Sequence, residues 1–301
     1  MITKKFFNLN VDIINKELKE NGYFSFKNAF SKKAIKKIEQ DSTDSKLNLN
    51  NSKISGLYYE RQYFSTSLLT TSKEFYNFVT SKIVLKICKN YLGNTFRLKA
   101  QRYYETYGGH HMQWHTDNKD DMGLANVKGL IFILYTSDVK DGQFQYIKGS
   151  HIWSGNKLNS DYSDEFIEKN YKNKIVDFKL PQGSLIIYNT YGIHRAKPVT
   201  NKNFIRKSVF FQVDNEIEKS EPIILDTKFV TEMNDEIRMF LGFGKPSGYI
   251  AYPATSYKTL PFSKDVFYTF FKYISYRIMV RIFRFLPKSL KVYIKLFFKN
   301  K

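Results

Sequence analysis

Hydrophobic residues recur with a helical period in the first third of the chain and with a strand-like period in the middle. In the first third, Asn21-Gly22 is a typical end of a helix, and Ser31 is a typical N-cap at the start of a second helix. The pattern predicts helices at 11–20, 32–41 and 73–91, a short strand at 23–26 and a loop at 42–56.

The middle of the chain contains short segments that are rich in β-branched and aromatic residues and bounded by Gly, Pro, Asp or Asn. Strands are predicted at 96–104, 129–135, 144–147, 174–180, 184–188 and 206–213. This spacing is typical of a β-sandwich or barrel of the jelly-roll type, with a β core at about 95–215. The polar segment 151–171 is expected to be a long loop with a helical piece.

The C-terminal segment is strongly basic. Between residues 272 and 301 there are nine Lys or Arg and no acid. Six of them recur at helical spacing: Arg277, Arg281, Arg284, Lys288, Lys291 and Lys295. Pro287 is expected to kink or split this helix. We expect one domain over residues 1–262 and a helical tail over 263–301, which either lies on an anionic membrane or packs on the domain with its basic stripe solvated.

Composition narrows the classes of function. The net charge is +20, but Lys, Asn, Ile, Phe and Tyr are all abundant, as in proteins encoded by A+T-rich DNA, and no nucleic-acid-binding motif is present. Nucleic acid is therefore not the expected partner. The single Cys88 excludes a disulfide framework, and no signal peptide or long apolar stretch is visible, so a cytoplasmic location is expected.

Three residues form the strongest chemical pattern. His115 and Asp117 are two positions apart, so on a strand both side chains face one side. His194, 77 residues beyond Asp117, follows another apolar strand and can supply a third ligand. Two imidazoles and one carboxylate form the facial triad of non-haem Fe(II) oxygenases, and the absence of thiolates argues against a structural zinc site.

A second pattern follows His194. Arg206 and Ser208 alternate onto one face of the strand that begins 12 residues later. A guanidinium can hold a carboxylate through two hydrogen bonds and a serine hydroxyl can add another, which suits the distal carboxylate of 2-oxoglutarate. Gln101, or Tyr103, on the strand 96–104 is a further candidate for this carboxylate.

These pieces resemble the phytanoyl-CoA dioxygenase-like family over roughly residues 15–215. The resemblance rests on the segment Gly-Gly-His-His-Met-Gln-Trp-His-Thr-Asp at 108–117, Lys-Gly-Ser-His at 148–151, His194, Arg206-x-Ser208 and the segment 21–31. It implies a double-stranded β-helix (jelly roll, cupin-like) of the mainly β, α+β class, with N-terminal helices. It also implies Fe(II), 2-oxoglutarate and O₂, with His115, Asp117 and His194 as iron ligands and Arg206 and Ser208 on 2-oxoglutarate.

The sequence departs from the family pattern before the triad, where Gly108-Gly109-His110-His111 replaces a proline-containing turn and Thr116 replaces a common Gln. Related halogenases lack the carboxylate that Asp117 provides, so the resemblance favours hydroxylation of a small organic substrate, lipid-like, acyl or sugar-derived. Two alternatives stay open: a jelly-roll protein that binds a ligand without catalysis, and an oxygenase that modifies nucleic acid.

Overall fold

The computed structural model describes most of the chain. The described residues are 2–47, 56–59, 62–66, 68–110, 112–117, 127–153, 161–218, 220–230, 233–245, 264–287 and 289–291. The chain divides into two compact units, Met1–Ala254 and Thr255–Lys301. The predicted boundary between residues 262 and 263 lies outside the described residues.

The helices fall into an N-terminal group, two short helices within and after the β core, and one C-terminal helix. They are α1 (Lys4–Phe7), α2 (Val11–Glu20), α3 (Lys32–Leu47), α4 (Leu68–Thr71), α5 (Lys73–Val79), α6 (Lys82–Leu92), α7 (Asp164–Tyr171), α8 (Asp235–Leu241) and α9 (Lys264–Phe285). Gly22, with φ +85°, follows α2 as predicted.

Two helix predictions were wrong in their bounds. The second helix continues to Leu47 instead of ending at 41, and the predicted loop beyond it lies partly outside the described residues. The predicted helix 73–91 is two helices, because Thr80 ends α5 and Ser81 begins α6. Both hydroxyls donate to carbonyl oxygens of the preceding turn, which competes with continuation of the helix.

The strands form two antiparallel sheets. They are β1 (Tyr23–Phe26), β2 (Gly56–Tyr59), β3 (Gln62–Ser65), β4 (Arg97–Thr106), β5 (Trp114–His115), β6 (Gly129–Tyr135), β7 (Phe144–Ile147), β8 (Asp161–Tyr162), β9 (Ile175–Phe178), β10 (Leu185–Asn189), β11 (His194–Ala196) and β12 (Arg206–Asp214). The large sheet has the order β1-β10-β6-β12-β4-β3-β2, and the small sheet has the order β8-β5-β11-β7-β9. The predicted jelly-roll architecture is confirmed.

Side chains separate into three hydrophobic layers because successive strand residues face opposite sides. The outer face of the large sheet packs against the N-terminal helices, with Phe211 and Tyr103 in this layer. The inner faces of the two sheets meet around Phe144, Tyr135 and Tyr188. The outer face of the small sheet packs Trp114 against Ile167 of α7. The inner layer is the one in which a site can form.

The C-terminal unit contains α9, which is 22 residues long and ends two residues before Pro287; residues 289–291 are helical again. Pro287 therefore interrupts the helix as predicted. Within the described residues, no helix combines the length and the apolar composition that crossing a bilayer requires.

We expect Phe211→Ala to lower the free energy of unfolding by about 3–5 kcal/mol, because Phe211 is fully buried and stacks on Phe132 at 4.4 Å. Denaturation by urea, followed by circular dichroism, measures this loss. Phe166→Ala is the control, because Phe166 is 42% exposed and its loss should cost less than about 1 kcal/mol. Equal losses in the two variants would contradict the assignment of Phe211 to the main core.

Candidate metal centre

The small sheet brings the two histidines together. Strands β5 and β11 pair antiparallel with His115 and His194 as direct partners. Because side chains alternate, Trp114 and Ile193 face outward into the layer under α7, and both imidazoles face inward. The backbone N–H of Asp117 donates to the carbonyl oxygen of Thr190 at 3.0 Å, which holds the carboxylate beside them.

The three predicted ligands converge. One ligand atom from each of His115, Asp117 and His194 lies within 4.8 Å of the other two. Nε2 of His194 is 3.2 Å from Oδ2 of Asp117, and Nε2 of His115 is 3.9 Å from Oδ1. The three donors therefore surround one point, as a single metal ion requires. His194 is buried, whereas His115 and Asp117 are half-buried.

Hydrogen bonds orient both imidazoles. Nδ1 of His115 lies 2.8 Å from the carbonyl oxygen of Gln113, and Nδ1 of His194 lies 2.9 Å from that of Gly192. A carbonyl oxygen only accepts, so each Nδ1 carries the proton and each Nε2 presents its lone pair to the metal point. Such outer hydrogen bonds are typical of metal-binding histidines.

Tyr188 is a further polar residue at this point, which no pattern in the sequence had indicated. Its hydroxyl lies 3.3 Å from Oδ2 of Asp117 and 3.3 Å from Nε2 of His194. Burial, together with the charge of Asp117, holds the pKa of Tyr188 well above its usual value, so the phenol stays neutral. It can then donate to Asp117 and orient the carboxylate.

Arg206 carries a buried positive charge on the inner face of the large sheet. One terminal nitrogen donates to the carbonyl oxygen of Gly142, and the other donates to Oγ1 of Thr106 at 3.1 Å. Its buried Nε has no partner, and no carboxylate of the described residues forms an ion pair with it. Burial lowers the pKa of Arg206, which nevertheless remains charged.

Tyrosines connect Arg206 to the metal point. Tyr104 lies on the inner face of β4, where its ring centroid is 6.2 Å from that of Phe210. Ser208 pairs directly with Tyr104 on one side and Tyr135 on the other. The hydroxyl of Tyr135 accepts from the backbone N–H of Phe144 at 3.0 Å, and the ring of Phe144 lies 5.5 Å from His194.

The structure does not bring Gln101 to this site. Gln101 pairs directly with Phe211, which belongs to the layer under the N-terminal helices. Direct partners share a face of the sheet, so Gln101 and Tyr103 point away from Arg206 and Ser208. The prediction chose the wrong face of β4; Tyr104 and Arg102 are among its inward-facing residues. Since both faces of β4 are buried, its sequence lacks the alternation that would have distinguished them.

Three other polar residues have structural roles. Arg195, which the sequence left open, is buried on the outer face, paired with Asp164 and stacked over Trp114 at 4.4 Å. His151 reaches the carbonyl oxygen of Lys19 at 3.0 Å. The sequence was compatible with His110 in an exposed loop, but only 5% of its surface is exposed.

Buried His110 belongs to a polar network that includes Arg206. Its Nε2 lies 3.0 Å from the amide nitrogen of Gln62, which also donates to Oγ1 of Thr106 at 3.3 Å. Thr106 in turn accepts from Arg206. His111 lies outside the described residues.

Comparisons with solved structures show the same fold. The non-haem alpha-ketoglutarate-dependent carbocyclase SnoK from nogalamycin biosynthesis is 15% identical over 69% of this chain and 85% of its own, with a TM-score of 0.53. HygX from Streptomyces hygroscopicus, solved with nickel, 2-oxoglutarate and hygromycin B, is 14% identical over 72% and 93%, with a TM-score of 0.51. The epimerase SnoN, solved with Fe³⁺, alpha-ketoglutarate and nogalamycin RO, is 13% identical over 67% and 82%, with a TM-score of 0.50.

No curated protein matches this chain significantly. A profile described as phytanoyl-CoA dioxygenase matches residues 18–208, which is more than half of the chain and includes the triad and both Arg206 and Ser208. The chain therefore belongs to the phytanoyl-CoA dioxygenase family.

Proposed function

We propose that this protein is an Fe(II)- and 2-oxoglutarate-dependent dioxygenase that hydroxylates a small organic substrate. The observation that carries the proposal is the buried guanidinium of Arg206, which has no carboxylate partner among the described residues and lies on the same inner layer as the His115, Asp117 and His194 cluster. A buried charge without a partner is costly, and an anionic ligand bound beside a metal removes that cost.

His115, Asp117 and His194 would hold the iron. Two neutral imidazoles and one carboxylate form the ligand set of non-haem Fe(II) oxygenases and leave positions for further ligands. The orientation of both Nε2 lone pairs toward one point supports this fit. When bound, iron supplies the oxidising chemistry, with O₂ and 2-oxoglutarate consumed and succinate and CO₂ released.

Arg206 and Ser208 would bind the distal carboxylate of 2-oxoglutarate, with Tyr104 and Tyr135 beside them. A guanidinium fork matches a carboxylate, and hydrogen bonds to a charged group are strong in a buried site. Two of the structural neighbours were solved with this kind of ligand, HygX with 2-oxoglutarate and SnoN with alpha-ketoglutarate.

The remaining residues orient the ligands and exclude water. Tyr188 holds the Asp117 carboxylate, and Phe144 covers one side of His194. Because Asp117 keeps a carboxylate in the cluster, no ligand position is freed there for a halide, which favours hydroxylation. Two structural neighbours are a carbocyclase and an epimerase, so enzymes of this fold also catalyse reactions other than hydroxylation. Mass spectrometry of the product distinguishes them, because hydroxylation adds one oxygen atom to the substrate.

We expect His115→Ala to abolish Fe(II)-dependent release of succinate from 2-oxoglutarate, because one of three metal ligands is lost. Succinate release under anaerobic and aerobic conditions, with iron content from elemental analysis, measures the effect. A chelator should remove the activity of the wild-type protein and added Fe(II) should restore it. His151→Ala is the control and should keep iron, because His151 is not part of the cluster and its hydrogen bond goes to the backbone of Lys19. Wild-type protein that binds no iron would instead favour a non-catalytic binding protein.

We expect Arg206→Leu to weaken 2-oxoglutarate binding by about a hundredfold, since charge-assisted hydrogen bonds contribute about 1.5–3 kcal/mol each. Calorimetry with the Fe(II) protein under anaerobic conditions measures the dissociation constant. Iron content should stay unchanged, because Arg206 is not a ligand. If iron and 2-oxoglutarate bind equally well to the variant, Arg206 does not anchor the co-substrate.

A second proposal concerns α9. We propose that the protein is cytoplasmic and that α9 makes a peripheral contact with the anionic inner face of a membrane. Apolar side chains of α9 form an exposed stripe of Tyr268, Phe271, Ile278, Ile282 and Phe285. At about 100° per residue, exposed Lys272 lies on one flank of this stripe and exposed Arg277 and Arg281 lie on the other. Basic side chains that flank an apolar stripe can reach lipid phosphates while the stripe enters the interface.

We expect the variant Arg277→Glu/Arg281→Glu of the full chain to lose binding to vesicles that contain anionic phospholipid, by about tenfold or more, because each basic residue near the surface contributes about 1 kcal/mol. Vesicle co-sedimentation measures the change. Lys32→Glu/Lys36→Glu is the matched control, because it reverses two exposed basic residues elsewhere. Equal binding of the variant and the wild type to anionic vesicles would refute the proposal.

A further inference from the structure

Three polar residues, one of which is Arg206, lie in a row across neighbouring strands of the large sheet. Gln62 on β3 pairs directly with Thr106 on β4, and Thr106 pairs directly with Arg206 on β12. Direct partners share a face of the sheet, so the side chains of Gln62 and Thr106 face inward with that of Arg206. We define the Arg206 row as Gln62, Thr106 and Arg206.

Hydrogen bonds join the side chains of the Arg206 row. Oγ1 of Thr106 accepts from one terminal nitrogen of Arg206 at 3.1 Å and from the amide nitrogen of Gln62 at 3.3 Å. The other terminal nitrogen of Arg206 donates to the carbonyl oxygen of Gly142. Thr106 is β-branched, so its hydroxyl has few alternative positions. Both terminal nitrogens of the guanidinium are therefore held by groups that are themselves fixed.

His110, in the turn after β4, contacts the far end of the row. Its Nε2 lies 3.0 Å from the amide nitrogen of Gln62, which only donates, so the same nitrogen reaches both His110 and Thr106. Gly109 in this turn has φ +83°, and an added Cβ on Gly108 would lie 2.7 Å from a backbone atom of another loop. The two glycines that depart from the family pattern are therefore needed for the turn that ends at His110.

Burial strengthens this arrangement. Gln62, Thr106, His110 and Arg206 are each no more than 7% exposed, so water does not compete for their hydrogen bonds. Thr106 and Gln62 are neutral, and Nε2 of His110 accepts a hydrogen bond, so its imidazole is neutral as well. These three residues orient the guanidinium of Arg206 without neutralising its charge.

We propose that Thr106 and Gln62 are positioning residues, which hold the guanidinium of Arg206 in the orientation that binds the distal carboxylate of 2-oxoglutarate. An arginine side chain has several rotatable bonds, and restricting them before the ligand arrives lowers the cost of binding. Both residues act through Arg206 and not by contact with the co-substrate. This inference rests on the proposed function.

The first test replaces Thr106. Thr106→Val keeps the shape of the side chain and removes the hydroxyl, and we expect it to raise the dissociation constant for 2-oxoglutarate about tenfold. Thr106→Ser keeps the hydroxyl and should restore most of the affinity. Calorimetry with the Fe(II) protein under anaerobic conditions measures both variants. Their iron content should stay unchanged, because Thr106 is not part of the metal cluster.

The second test changes the charge at Gln62. Gln62→Leu removes the amide and should weaken 2-oxoglutarate binding by about three- to tenfold. Gln62→Glu instead places a carboxylate beside Oγ1 of Thr106, the atom that Arg206 also contacts. Because this carboxylate can pair with the guanidinium in place of the co-substrate, we expect a larger loss, about a hundredfold. A purely structural role of Gln62 predicts similar losses in the two variants.

The matched control is Thr80→Val, which removes a hydroxyl hydrogen bond of 2.8 Å among the N-terminal helices. It should lower thermal stability and leave the dissociation constant for 2-oxoglutarate unchanged. Three results would overturn the positioning role: unchanged binding in Thr106→Val and Gln62→Glu, a loss in Thr106→Val that Thr106→Ser does not reverse, or an equal loss in the control.

These results are distinguishable from failure of the proposed function. If the wild type binds 2-oxoglutarate and Arg206→Leu loses it, the proposed function stands whatever the Thr106 and Gln62 variants show. Wild-type Fe(II) protein that does not bind 2-oxoglutarate would refute the proposed function itself.

Discussion

The two-residue period of side chains along antiparallel strands is the constraint on which every part of the site depends. It turns His115 and His194 inward while Trp114 and Ile193 pack outward under α7. On β12 the same period places Arg206 and Ser208 on the inner face and Phe211 on the outer one. A slip of one residue in either sheet would exchange the site with the core, so the hydrophobic layers on the outer faces also hold the chemistry in register.

Several polar groups at or near the site are buried, and they differ in whether a partner within the chain offsets the cost of burial. The imidazoles donate to backbone carbonyls, and Arg195 is paired with Asp164, so these groups are satisfied within the chain. Arg206 is the exception, with a buried charge, two neutral partners and an unpaired Nε. This incompletely compensated charge on the inner layer is the reason for our proposal that Arg206 binds an oxo-diacid.

The exposed stripe of α9 uses apolar side chains flanked by Lys272, Arg277 and Arg281 for the contact that we propose with an anionic membrane. This proposal is independent of the proposed iron and 2-oxoglutarate sites, because it uses none of their residues.

Local sequence determined most of the elements and the residue types of the site. Apolar periodicity, Gly22, Ser31 and Pro287 marked helix and strand limits, and the spacing of His115, Asp117, His194 and Arg206 pointed to iron and an oxo-diacid. Tertiary structure alone decided which face of β4 is inward, because burial on both faces removes the alternation that distinguishes them; Gln101 was therefore misassigned and Tyr104 and Arg102 were missed. It also decided the partner of Arg195 and the place of Tyr188, since contacts between distant segments leave no local pattern in a sequence.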